Sequence, residues 1–216
     1  MLAWHLLSED KRLGYDDGRL VEVGATLECK GDPELCSNGM HGSVRLIDAV
    51  YYASGPIVCR VEIEGDVIEG EDKLCGRRRT VLWMLDATRL LHEFACACAE
   101  DALALVEQPD ERSVEAIEAK RKWLNGEVTD EELASARAAS WAASRSASYA
   151  VAYSASWAAS WAAVRSASRA AAWAARDAAM AAARAAARDA AWDAAWAKQN
   201  ERLTAMVMEA HEKESE

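Results

Sequence analysis

From Trp141 to Trp196 a large side chain returns at almost every fourth position in a background of alanine and serine. Trp141, Arg145, Tyr149, Tyr153, Trp157, Trp161, Arg165, Arg169 and Trp173 keep a strict step of four, and after a slip of three to Arg176 the step resumes through Met180, Arg184, Arg188, Trp192 and Trp196. No glycine or proline follows Gly126, so nothing in the sequence interrupts a helix from Leu133 to about Met206. A straight helix advances about 100° per residue, so a step of four overshoots a full turn by roughly 40° and the large side chains spiral around the rod. One straight seam cannot gather them all. The pattern predicts either one helix flanked by several neighbours or two or three shorter helices. In both cases the apolar surface has to be covered, because a solitary rod would leave too much of it in water. Self-association is therefore expected, with Trp141, Tyr149, Tyr153, Trp157, Trp161, Trp173, Trp192 and Trp196 as the homo-oligomer interface of a coiled-coil-like stalk.

Composition divides the rest of the chain. All three prolines, Pro33, Pro56 and Pro109, precede the shift to alanine-rich sequence near residue 110. We therefore expect an α+β head over residues 1–108, a helical hairpin over 109–132 and the stalk over 133–216. The formal charge of −11 argues against non-specific attraction to nucleic acid or to an anionic membrane. Arg or Asp interrupts the Ala-rich tail before twenty apolar residues accumulate, so a membrane span is not expected either. The first seven residues lack the basic region of a signal peptide, which points to a cytoplasmic protein whose six cysteines stay reduced. Cys-x-x-Cys is absent, and neither a metal site nor a cofactor is expected.

Within the head, Ala3 to Leu7, Leu20 to Val23 and Thr26 to Cys29 read as strands. Ser43 is placed to cap a helix over Val44 to Ala53. Ile57, Cys59, Val61 and Ile63 alternate with polar partners, the strongest strand pattern in the chain, and Asp66 to Glu69 is expected to pair with it across Gly65. Thr80 to Val106 reads as a long helix with Leu82, Leu85, Leu90, Leu91, Phe94 and Ala95 as its core stripe. Ser113 is expected to cap the first hairpin helix, Asn125-Gly126 to stop it, and Thr129-Asp-Glu-Glu132 to form a capping box for the next.

Two histidines and a basic cluster carry the chemistry. His5 and His41 are expected in one pocket, where a neutral imidazole donates or accepts and charges readily beside an anion. Gly39 and Gly42 flank His41 and permit close approach of a ligand. Lys73 with Arg77-Arg78-Arg79 is the dense basic run of an acidic head; guanidinium groups suit bidentate phosphate recognition, and Arg79-Thr80 at a helix start would add amide donors. The expected ligand-binding set is His5, His41, Ser43, Lys73, Arg78 and Arg79, with no catalytic residue assigned. No Ser-His-Asp set, glycine-rich phosphate loop or metal-ligand spacing accompanies it.

The segments Ala3-Trp4-His5-Leu6-Leu7, Val23-Gly24-Ala25-Thr26-Leu27, Cys36-Ser37-Asn38-Gly39-Met40-His41-Gly42-Ser43, Asp48-Ala49-Val50-Tyr51-Tyr52 and Asp72-Lys73-Leu74 resemble an uncharacterised domain family frequent in phages and prophages. The resemblance covers roughly residues 2–95, and repetitive low-complexity tails often follow such domains. The order of Trp4-His5, Gly39 to Ser43, the helix with Ala49 and Tyr52, and the strand Val58 to Ile63 is also similar to ADP-ribosyltransferase-like and RNA 2′-phosphotransferase-like folds. That similarity implies a cleft for NAD or ADP-ribose; Glu62, Glu64, Glu69 and Glu71 supply carboxylates but no defining catalytic motif. The resulting expectation is a phage-derived, non-catalytic oligomer whose heads capture a phosphorylated, nucleotide-like small molecule in the cytoplasm of the host. The alternatives are an NAD-using transferase and a scaffold acting through its tail.

Overall fold

A computed structural model describes residues 1–14, 17–104, 107–144 and 190–216. The chain divides into two compact units, one of residues 1–87 with 203–216 and one of residues 88–202.

The first unit is built on two antiparallel sheets. Strands β1 (Leu2–Leu7), β4 (Ile57–Glu64), β7 (Arg78–Asp86) and β2 (Thr26–Glu28) lie side by side in that order. A smaller sheet orders β3 (Met40–Gly42), β6 (Leu74–Gly76) and β5 (Ile68–Glu69). The alternation of Ile57, Cys59, Val61 and Ile63 does what it promises. All four are buried, and with Ala3, Leu7, Val21, Leu74 and Val81 they form one apolar cluster. Ala3 faces Val61, His5 faces Cys59 and Leu7 faces Ile57, so these residues share one sheet face. On the opposite face Trp4 meets Trp83 edge to face at 5.6 Å, and Arg60 lies 4.4 Å over the Trp4 ring. His211, near the end of the chain, stacks on Trp83 at 4.0 Å.

The small sheet approaches β4 more closely than side chains allow. A Cβ on Gly76 would stand 2.7 Å from Ile63 Cγ2 and 2.9 Å from the Glu64 carbonyl oxygen; one on Gly42 would stand 2.9 Å from Ile63 Cδ1. Both glycines are buried and serve close approach.

Several local expectations are corrected. Thr80 does not open a helix: Arg78–Asp86 is β7, and the helix α2 begins only at Thr88 and runs to Leu103. Leu82 and Leu85 do not share a face: a register irregularity between Arg60 and Val61 leaves Leu82 without a cross-strand partner on β4. Leu82 is accordingly exposed while Leu85 is buried. Leu20 to Val23 is not a strand; Leu20 makes only an isolated bridge to Arg12. Ile68–Glu69 pairs with β6 rather than with β4, because Gly65 and Asp66 both take positive φ, 72° and 50°, and turn the chain away. Ser43 caps nothing, since helix α1 (Leu46–Tyr51) starts after Arg45 without a side-chain cap.

The second unit is helical. Beyond α2 it holds α3 (Glu111–Leu124), α4 (Asp130–Ser144) and the start of α5 (Ala190–Ser215). The connector is a hairpin as expected, with one change of cap: Asp110, not Ser113, accepts the Arg112 amide at 3.0 Å. A carboxylate suits the positive end of a helix better than a hydroxyl does, and Ser113 is buried inside the bundle, 3.5 Å from the Ser140 hydroxyl. Gly126, at φ 73°, ends α3. The Thr129 hydroxyl receives the Glu132 amide at 3.2 Å while Glu132 accepts the Thr129 amide at 2.8 Å, a complete capping box. The hydrogen-bonded pair of Trp123 Nε1 with Asp130 at 2.7 Å closes the hairpin.

The stalk expectation falls largely outside the described residues. Tyr149, Tyr153, Trp157, Trp161 and Trp173 lie there entirely. Trp141 and Trp192 are described only as helical backbone, and Trp196 is half-buried in α5. Among the described residues no helix is long and apolar enough to cross a membrane.

The sheet-to-sheet approach yields a direct test. Gly76→Ala should lower the unfolding free energy of the protein by about 1–3 kcal/mol in urea denaturation, whereas Gly14→Ala, which meets nothing within 4 Å, should change it little.

Candidate functional site

The inner face of the large sheet carries one charge that the apolar pattern does not explain. Arg79 faces Ile63 on β4 and Leu27 on β2, which places its side chain among the core residues. It is only 2% exposed. Its Nη1 donates to the His41 carbonyl at 2.7 Å, and its Nε has no partner among the described residues. Asp17, a carboxylate whose charge it senses, is already held by Arg19 through two bonds of 2.7 and 2.8 Å. Burial lowers the Arg79 pKa to about 10, so the group remains charged at neutral pH.

His5 lies on the same inner face, opposite Cys59. It is half-buried, and among the described residues its ring makes no hydrogen bond. Burial first, then the charges of Arg79 and His41, hold its pKa well below the ordinary imidazole value. Cys59 sits beside this pair with its thiol pushed up to about 12 by burial, which makes it an inert neighbour rather than a nucleophile. His5, Cys59 and Arg79 thus form a cationic and proton-accepting patch inside an apolar sheet interface.

The other expected residues are distributed differently. His41 supplies Arg79 with its carbonyl, but its ring is engaged in its own loop: Nε2 accepts the Cys36 amide at 3.3 Å, and a ring N–H donates to the Gly39 backbone. Burial, and secondarily Lys73 and Arg79, still lower its pKa. Ser43 is buried and exchanges backbone bonds with Trp4 at 2.8 and 2.9 Å, so it fixes the strand that carries His5. Lys73 lies 4.4 Å over the Tyr52 ring, whose hydroxyl donates to Asp72 at 2.6 Å. Arg78 points away from Arg79, as alternate strand positions must, and ends 3.9 Å from Glu28 and 4.0 Å from Glu64. Arg77 is half-buried and paired with Asp32 and Asp66. The structure therefore brings together His5, Arg79 and the His41 backbone, with Lys73 near the His41 ring, and leaves Arg78 elsewhere.

A separate shallow groove of about 220 Å³ runs between Val44, Arg45 and Asp48 on one side and Glu69 to Leu74 on the other. Asp48, Glu69, Glu71 and Asp72 outnumber Arg45 and Lys73 there, and Arg45 is held by Asp48 at 2.6 Å, so it does not favour an anion. Among the described residues no cluster of His, Cys, Asp or Glu is arranged to hold a metal ion, and all six cysteines are free thiols.

Residues 1–93 match the family model of a domain of unknown function, DUF7666. The match contains the whole constellation of His5, His41, Cys59, Lys73 and Arg79. No curated protein matches the chain, and no solved structure does.

The lowered imidazoles set the pH response of this unit. A base whose folded pKa is depressed stabilises the fold fully above its unfolded value of about 6.5 and withdraws that stability as pH falls. Unfolding midpoints should therefore decline on acidification below about pH 6.5, and His5→Gln should flatten the decline when the two proteins are compared across that range.

Proposed function

We propose that the N-terminal unit is a non-catalytic receptor for a phosphorylated, nucleotide-like small molecule, anchored by Arg79 with His5 beside it. The observation that carries this reading is the buried guanidinium of Arg79, one donor unpartnered and no ion pair among the described residues. An uncompensated buried charge costs several kcal/mol, and an anion arriving at Arg79 offsets that cost. Guanidinium is also the side-chain cation best matched to a phosphate oxygen pair. His5 complements it: neutral in the empty site, it takes up a proton when negative charge arrives and then donates a second bond. Cys59, being un-ionised, adds no competing anion.

The reading extends to assembly and context. The four-residue step of tryptophan and tyrosine in an Ala/Ser background favours a homo-oligomer, which would present several receptor sites on one particle. Sequestration of a host defence signal by a phage-encoded protein in the cytoplasm of an infected cell is the role such an oligomer fits. Direct capture of nucleic acid is disfavoured by the charge of −11.

Native mass spectrometry of the protein from its expression host tests the reading. The wild type is expected to be an oligomer that releases a nucleotide-sized mass on mild denaturation, and Arg79→Met to release none while remaining folded. Equal retention by both proteins would remove Arg79 as the anchor, and turnover of added NAD by the wild type would replace capture with transfer. Titration with ADP-ribose in two buffers of different ionisation heat should also show net proton uptake at pH 7 that is lost in His5→Gln.

A further inference from the structure

In the helical unit two buried bases, His92 and Lys120, lack hydrogen-bond partners among the described residues. Lys120 of α3 is 0% exposed and its Nζ makes no hydrogen bond among the described residues. His92 of α2 is 2% exposed, and neither ring nitrogen has a hydrogen-bond partner among the described residues. Both groups surround one indole. Lys120 Nζ stands 3.8 Å from the Trp123 ring centroid, and the His92 ring meets the same indole edge to face at 5.7 Å. The carboxylate that Lys120 senses most, Asp130, accepts the Trp123 indole N–H at 2.7 Å and forms no ion pair with the amine. Cys96, one turn beyond His92, is buried with its thiol held protonated by burial, so it gives Lys120 no counter-charge.

We propose that the helical unit binds a small monovalent anion, a halide or a short carboxylate, between Lys120 and His92. The cation–π contact satisfies only one side of an ammonium, and a buried ammonium still needs an acceptor for its N–H groups. A monoanion accepts from Lys120 Nζ and from one His92 N–H together, which satisfies both residues with a single occupant. The apolar residues packed with this indole, Ala116, Leu133 and Ala119, favour a small, weakly hydrated ion over a doubly charged oxyanion. Such an ion also explains why α2 and α3 keep two bases facing one indole. Burial lowers the amine to about 8 and the imidazole to about 3, so near neutral pH Lys120 remains mostly an ammonium beside a neutral His92. In this unit the anion acts as a structural ligand, independent of the receptor site proposed at Arg79.

Thermal unfolding of the full-length protein at fixed pH and ionic strength tests the site with chloride, bromide, formate and sulfate exchanged against gluconate. The wild type should show a saturable rise in midpoint with chloride, bromide or formate and little with sulfate. Lys120→Met should lose that rise without losing the fold, and His92→Gln should weaken it. Saturable quenching of indole fluorescence by bromide should be present in the wild type and lost in Lys120→Met, which reads binding even where the midpoint of one variant moves. Equal responses of wild type and Lys120→Met in both measurements, or no response to any small anion, overturns the proposal.

Discussion

The close contact between the two sheets through Gly42 and Gly76 is the constraint on which the rest of the N-terminal unit depends. Ile63 fills the space that two Cβ atoms would need, and β3 consequently runs near enough to β7 for the His41 carbonyl to accept from Arg79 at 2.7 Å. With side chains at those glycines the small sheet would stand off, the carbonyl would leave the guanidinium, and the one side-chain hydrogen bond of Arg79 among the described residues would be lost. The same approach makes Arg79 nearly inaccessible. Packing and electrostatics are thus one device: the backbone contact that closes the core also strips solvent from the cation.

The pattern of β4 was legible because a half-buried strand must alternate, and the hairpin was legible because its caps are chemical signals with fixed spacing. The strand β7 was not. Leu82 and Leu85 stand three apart in sequence, which reads as a helical stripe, although Thr80, Val81 and Trp83 are β-branched or aromatic and suit a strand. That single misreading scattered the expected site, since consecutive arginines in a strand face opposite ways and only Arg79 turns inward. The role of the His41 ring was hidden for a different reason: its partners are the Cys36 amide and the Gly39 backbone, and backbone partners leave no residue-type signal. Cys59 could be placed on the inner face from the alternation of β4, but its register with His5 required the structure.

An acidic chain that buries two cations with no ion pair among the described residues invites comparison between them. The formal charge of −11 is dispersed over exposed carboxylates, many already paired locally, such as Asp17 with Arg19 and Asp110 with Arg112. Charges in water are screened over about a Debye length and cannot repay burial elsewhere. Each buried cation must therefore be settled by its immediate neighbours, and at both positions those neighbours are a carbonyl or an aromatic face together with a neutral histidine.

The two cations differ in what their chemistry permits. Arg79, held near 10, stays charged across the physiological range, so its site is a permanent demand for negative charge. Lys120, held near 8, is close enough to neutrality that modest changes in its surroundings decide whether it carries a proton. A guanidinium also presents donors along a plane and favours a bidentate oxyanion, whereas an ammonium is a compact point charge that suits a spherical or short ligand. The histidines follow the same division. His5 is half-buried, while His92 is sealed and holds its neutral form to about pH 3. One chain thus buries two cations of different chemistry, a planar guanidinium at the sheet interface and a compact ammonium in the packing of its helices.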